Sequence, residues 1–306
     1  MTDQLPPDVI AQLTALDPEI TPDLVAGSWA VLKPYHEKNG YTAPKIARDL
    51  RYGDHERHRL DVHTSGEQAN APVFVFVHGG GFIGGDKRVP GSPAYDFLGA
   101  WAVRNGWVGV TITYRLAPEH TWPSGAQDVA SAIAWIRDNI ADYGGDPDRI
   151  VVAGNSAGAV HVASYVTGQA SAGQDSAGQD SAGQDGGSLD GVRGAAILSG
   201  FYRVPLDERG DLERAYYGDT YAEDTDTLDA LTRAQIPLLF SVAERDPLFF
   251  QTQAARLVAA WFIAHRTTPN LVWVAGHNHI SGIGSVGVDD AALGAPLARF
   301  INRVTA

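Results

Sequence analysis

The chain contains no cysteine in its 306 residues, which excludes disulfides, thiolate catalysis and cysteine-ligated zinc. Positive charge is scarce. Lysine and arginine number 23 against 36 aspartates and glutamates, a formal net charge of −13 with a pI near 5.1. That balance argues against nucleic acid and anionic membrane surfaces as partners, and its plain consequence is solubility. No apolar run approaches the roughly 18 residues needed to cross a bilayer. The first residues, Met1-Thr2-Asp3-Gln4-Leu5-Pro6-Pro7, form neither a basic nor an apolar leader segment. A cytoplasmic protein is the expectation. Hydrophobic residues make up 44%, enough for one large α/β domain with a modest appendage or for two small domains.

The first stretch of chain is broken by Pro6, Pro7, Pro18, Pro22, Pro34 and Pro44. Short amphipathic helices fit residues 8–16 and 22–32, with Thr21 as N-cap before Pro22. The pattern then changes. Arg59-Leu60-Asp61-Val62-His63 alternates as a strand does, and Val73-Phe74-Val75-Phe76-Val77 is continuously apolar, as a strand buried on both faces requires. Further strands are expected at 107–114, 150–153, 194–198, 237–242 and 271–274, and helices at 124–140, 251–265 and 290–304. Such alternation predicts a mostly parallel sheet with helices on both faces, whose ligands bind outside the carboxyl ends of the strands. One segment stands apart. Ser171-Ala172-Gly173-Gln174-Asp175 recurs twice more, through Asp185. It is too small and polar to bury a face, so residues 171–187 read as a flexible surface loop.

Two motifs carry chemistry. Arg149-Ile150-Val151-Val152-Ala153 reads as a buried strand and leads into Gly154-Asn155-Ser156-Ala157-Gly158, after which small apolar residues read as a packed helix. A serine between glycines at a strand-to-helix junction sits on a sharp turn. The turn lifts its hydroxyl off the sheet and points the helix's free N–H groups at whatever the serine attacks. The second motif, His78-Gly79-Gly80-Gly81-Phe82-Ile83-Gly84-Gly85-Asp86, directly follows the apolar strand. Its glycines leave N–H groups unshielded, and two of them can converge with that of Ala157 on a developing oxyanion. Neither P-loop nor dinucleotide-loop spacing is present.

The pair of motifs, with Tyr114-Arg115-Leu116-Ala117-Pro118-Glu119-His120, Trp122-Pro123, Asp128 and Asp246-Pro247-Leu248, resembles the hormone-sensitive lipase-like (bacterial family IV) esterases of the α/β-hydrolase superfamily. The resemblance spans roughly residues 45–300. It departs at Asn155, where that group usually carries Asp, and at Gly276-His277-Asn278-His279-Ile280-Ser281, which is closer to the arylformamidase-like branch. What it implies is an α/β-hydrolase fold with cap helices over residues 1–45, a catalytic domain over 46–306 and a cap insertion over 203–232. Hydrolysis of short-to-medium carboxylic esters through an acyl-enzyme follows, with nucleophile, acid and base in the order Ser156, Asp246 and a late histidine. His279 is favoured over His277 because His-Ile-Ser opening a helix resembles the related enzymes' catalytic position, and Glu244 is the rival acid. The oxyanion donors are then the N–H groups of Gly80, Gly81 and Ala157, with Phe82, Asn155 and Phe201 at the substrate.

The substrate is thus expected to be a small ester, and the resemblance allows a homodimer. No cofactor or metal is implied, because His277 and His279 have no third ligand at a suitable spacing. His55, His58 and His63 read as surface and strand residues, His78 as a brace of the glycine loop, and Arg115, Glu119 and Asp128 as architecture beside it. Trp29, Tyr35, Tyr202, Tyr216 and Tyr217 are further aromatics near the expected cleft. The alternatives are an arylformamidase or amidase, a lactone hydrolase, and a non-catalytic ligand receptor on a hydrolase scaffold.

Overall fold

The alternating side chains of Val73 to Val77 organise the molecule, described by a computed structural model over residues 5–171, 188–220 and 225–306. Successive strand residues point to opposite faces. Val73, Val75 and Val77 enter one core with Val129, Ile133 and Ile136 of α4 (Ser124–Asn139) and Val162 of α5 (Ala157–Val166). Phe74 and Phe76 enter the other with Phe97, Leu98 and Trp101 of α3 (Asp96–Arg104) and Leu297 and Phe300 of α10 (Gly294–Val304). Each such side chain, fully buried, stabilises the fold by roughly 1.5–3 kcal/mol. Both faces of the strand are therefore covered, and the sheet can be nowhere near solvent at its centre.

The strands are β1 (Lys45–Arg51), β2 (Arg59–Thr64), β3 (Ala71–Val77), β4 (Val108–Ile112), β5 (Gly145–Asn155), β6 (Val192–Leu198), β7 (Leu238–Arg245) and β8 (Leu271–Asn278). They form one eight-stranded sheet in the order β1-β2-β4-β3-β5-β6-β7-β8. The β1–β2 and β2–β4 pairs are antiparallel and the remaining pairs parallel, the mostly parallel sheet that the strand–helix alternation predicts. The expected repeat loop, apart from Ser171, lies outside the described residues.

Several elements differ from the sequence reading. β1 was not expected, because Lys-Ile-Ala-Arg-Asp-Leu-Arg packs only partly at the sheet's edge and carries no buried alternation. α3 was not expected either; its residues are apolar nearly all round, so no amphipathic period marks it. α1 (Pro7–Ala15) lies within one residue of the expected 8–16, and α2 (Pro22–Asn39) starts at Pro22 as expected, with the Thr21 side chain capping it, but runs past the expected end at 32. α2 continues through Pro34 because its far end is held by tertiary contacts: the buried His36 ring donates from Nε2 to the Gly284 carbonyl at 2.8 Å. α1 packs on β8 and α2 on α9 (His279–Gly284). The region after β6 holds α6 (Asp211–Tyr217) and α7 (Leu228–Leu231), and α8 (Leu248–His265) follows β7.

Four buried histidines bear on stability. Burial lowers His36 and His63 to about 4, and His78 and His161 to about 3, from the ordinary 6.5. Each ring is neutral in the folded chain but binds a proton in the unfolded chain below about pH 6.5, so acid favours unfolding. Stability present at neutral pH should be lost as pH falls from about 6.5 towards 4, each histidine contributing up to about 1.4 kcal/mol per pH unit. Urea unfolding followed from about pH 7 to about pH 4 should show the midpoint falling throughout; a flat profile would contradict the burial of these rings.

Candidate active site

The parallel register brings five strand ends to one edge. Val77 pairs with Gly154, Asn155 with Leu198, Leu198 with Ser241, and Arg245 with Asn278. The residues just beyond those pairs are His78, Ser156, Ser199, Asp246 and His279. Ser156 stands between β5 and α5 with φ 57° and ψ −126°, a strained left-handed position for a residue with a side chain. Its N–H donates to the Leu198 carbonyl at 3.0 Å, which ties the turn to β6. The flanking glycines are needed for space. A Cβ on Gly154 would collide with the Gly158 carbonyl, and one on Gly158 with the carbonyls of Val77 and His78. Bare glycines thus let the N-terminus of α5 press against the end of β3.

That close approach sets the N–H of Ala157, first residue of α5, beside the turn that follows β3. Gly80 and Gly81 adopt φ of 131° and 59° there, and Phe82 follows at 69°. The N–H groups of Gly80, Gly81 and Ala157 have no hydrogen-bond partner among the described residues. His78 braces the turn from beneath: its Nδ1–H donates to the Gly79 carbonyl at 2.6 Å, and its ring stacks on Tyr114 at 4.4 Å. The Tyr114 hydroxyl donates to the His78 carbonyl at 2.8 Å. The neighbouring loop is fixed by Asp128, which accepts from the Arg115 N–H at 2.7 Å and from His58 at 3.1 Å. Burial opposes ionisation of that carboxyl, but these hydrogen bonds outweigh it and hold it below the usual carboxylate range. The loop meets the glycine turn where the Ala117 N–H donates to the Phe82 carbonyl. Glu119 is exposed and makes no ion pair among the described residues.

Asp246 and His279 meet because β7 and β8 are in register immediately before them. His279 donates from Nδ1 to Asp246 Oδ1 at 2.6 Å. The other carboxylate oxygen accepts from the Ser199 hydroxyl at 2.8 Å and from the Ala243 N–H at 2.7 Å. His279 Nε2 is buried with no partner, so the ring has a fixed tautomer and a free lone pair, as a general base requires. Phe250 packs on this ring at 4.3 Å between centroids. His277 is engaged elsewhere, between Ser281 Oγ at 3.2 Å and Asp290 at 2.9 Å. Glu244 accepts from the Gly276 N–H at 2.7 Å and bonds neither histidine.

Of the suggested substrate residues, Phe82 and Phe201 share one apolar cluster with Ala157, Val160, Tyr216 and Phe250. Asn155 is buried at the end of β5. The segment after β6 lies over this cluster. Tyr216 stacks on Phe82 at 4.4 Å with rings parallel to within 2°, and Leu212 Cδ1 would stand 2.7 Å from a Cβ on Gly81. Trp29 packs instead with His36 and Phe97, Tyr35 beside α1, and Tyr202 against Phe240. Among the described residues, one group could offer three metal-ligand atoms, Asp61, His63 and Asp96. Arg48 and Lys87 already bind those carboxylates, so their charge is met by protein cations. Sequence reasoning missed Ser199, Asp290 and Phe250. Ser199 alone had a usable signal, its place directly after a predicted strand at the carboxyl edge.

A profile of the alpha/beta hydrolase fold matches residues 74–281. Esterase LipQ of Mycobacterium tuberculosis is 42% identical over 120 residues, 38% of this chain and 27% of that protein. Carboxylesterase NlhH of the same organism is 47% identical over 91 residues, 29% of this chain and 27% of that protein. The chain thus matches about a quarter of the length of these curated relatives. The crystal structure of esterase LipW from Mycobacterium marinum superposes with a TM-score of 0.64 at 21% identity, over 99% of this chain and 96% of that one, a likeness of fold.

The turn makes its own demand on stability. Gly154→Ala should destabilise the chain by about 3 kcal/mol, since backbone atoms rather than a movable side chain occupy the space. Urea unfolding would show it, and a loss under about 0.5 kcal/mol would mean that the β5–α5 turn does not fold the start of α5 this closely over Gly154.

Proposed function

The chain belongs to the α/β-hydrolase fold family, and on that premise we propose that it is a serine hydrolase of the hormone-sensitive lipase-like group, cleaving short-to-medium carboxylic esters through an acyl-enzyme. The observation that carries the reading is the His279 ring, held at Nδ1 by Asp246 and left unpaired at a buried Nε2. In this reading Nε2 takes the Ser156 hydroxyl proton as Oγ attacks the ester carbonyl. The N–H groups of Gly80, Gly81 and Ala157 receive the oxyanion, each donor worth roughly 100- to 1000-fold in rate. The imidazolium then returns its proton to the departing alcohol, and the same base activates the water that releases the acid. Asp246 holds the tautomer and stabilises the imidazolium.

The strained φ of Ser156 supports the nucleophile assignment, because strain of this kind gathers at functional turns. The cluster of Phe82, Phe201, Phe249 and Phe250 supports an apolar acyl or alcohol group. We read residues 203–232 as the cap insertion over it, on the strength of Leu212 at Gly81 and Tyr216 on Phe82. A cytoplasmic location and a homodimer complete the proposal.

A panel of p-nitrophenyl esters from acetate to palmitate, run beside N-formylkynurenine and a fluorophosphonate probe, tests it. Wild type should cleave the short esters and take one equivalent of probe. Ser156→Ala and His279→Ala should lose about 10⁴-fold or more in kcat, while Glu244→Gln keeps most of it. Turnover of the formamide alone would move the assignment to an amidase. No turnover and no labelling would leave a receptor.

A further inference from the structure

α9 has six residues, His279–Gly284, too few to hold a helical shape unaided. Its first residue is the proposed base, so whatever fixes the α9 backbone also fixes the direction of the imidazole. The bond from Asp246 secures the ring only; the backbone is held by its own cap at Asn278 and by α2, which packs along α9.

Three α2 residues spaced by four, Ser28, Leu32 and His36, lie on one side of that helix. All three are buried. Ser28 donates from Oγ to Asn278 Oδ1 at 3.2 Å, at the start of α9. His36 donates to the Gly284 carbonyl at 2.8 Å, at its end. Between them Leu32 Cδ1 lies against Gly284, where a Cβ would come within 2.9 Å. The span from Ser28 to Gly284's partner His36 is about 12 Å of helix and α9 about 9 Å, so one helix grips both ends of the other.

Asn278 is the junction. Its Oδ1 caps α9 by accepting from the N–H groups of Ile280 at 3.0 Å and Ser281 at 2.9 Å, besides the Ser28 hydroxyl. Its Nδ2 donates to the Leu13 carbonyl of α1 at 3.4 Å. The buried His277–Asp290 bond and the Ser281 hydroxyl, which accepts from the Asn278 N–H at 2.9 Å, close the network from the other side. From this arrangement we propose that Asn278 and Ser28 are positioning residues for the base: the N-terminal helices act on the reaction by clamping α9. The proposal rests on the reading of His279 as that base. It gives α1 and α2 a role in the chemical step, distinct from covering the cleft.

The test uses the full chain with Ser28→Ala, Asn278→Ser and, as a control on the outer face of α2, Lys33→Ala. Ser28→Ala removes one buried bond. Asn278→Ser keeps an N-cap acceptor but is too short to reach Leu13 and Ser28 together. Hydrogen exchange of the α9 amides and steady-state kinetics on p-nitrophenyl acetate are read side by side. In Ser28→Ala, exchange in α9 should rise about fivefold and kcat fall by about as much, with KM unchanged. In Asn278→Ser, kcat should fall about 100-fold, the cost of a misplacement on the order of 1 Å. Lys33→Ala should change neither. Unchanged exchange in both variants, or raised exchange with wild-type kcat per folded molecule, overturns the proposal. A wild type without ester turnover would instead sink the esterase reading, and the exchange data would still decide whether α2 clamps α9.

Discussion

How near α5 can come to the end of β3 governs everything at the carboxyl edge of the sheet. The Cα of Gly158 lies against the carbonyls of Val77 and His78, and Gly154 lies under the Gly158 carbonyl. With side chains there, the helix would have to retreat, and the N–H of Ala157 would leave the glycine turn at Gly80 and Gly81. The same compression forces Ser156 to φ 57°, a conformation costing on the order of 1–3 kcal/mol. All ten residues of α5 are buried, and their packing offsets that cost. Core burial is thereby linked to the exposure of one hydroxyl.

A second dependence runs through Asp246. Its two oxygens accept three hydrogen bonds, from His279, Ser199 and the Ala243 N–H. A buried carboxylate so fully satisfied is cheap to keep in place, and a single missing donor would leave a charge poorly solvated. Ser199 reaches it from β6, Ala243 from β7 and His279 from the end of β8, so three adjacent strands converge on one group. Nearby, His277 and Asp290 form a separate buried pair. The two histidines are close in sequence and opposite in employment.

The helical segments outside the sheet divide their contacts. α6 reaches the glycine turn through Leu212 and Tyr216, whereas α1 and α2 reach Asn278 and Gly284. One set faces the place where the proposed oxyanion forms, the other the backbone of the proposed base. The two N-terminal helices and α6 therefore contact different parts of the site.

The strand–helix alternation and the apolar run at Val73–Val77 were enough to announce a mostly parallel sheet covered on both faces. The two glycine motifs announced their turns, because a glycine's freedom and a strand's period are properties of neighbouring residues. The edge strand β1 and the apolar α3 were illegible for the converse reason, since neither carries a periodic contrast between its faces. The chain alone also left His277 and His279, and Asp246 and Glu244, in competition. Asp246 and His279 lie 33 residues apart, and only the β7–β8 register, Arg245 against Asn278, sets one beside the other. Ser199 at Asp246 and α2 along α9, the latter joining residues some 250 positions apart, were likewise decided by the tertiary structure. Local conformation follows from local chemistry, whereas the partner of a buried polar group depends on which distant strands and helices are packed against it.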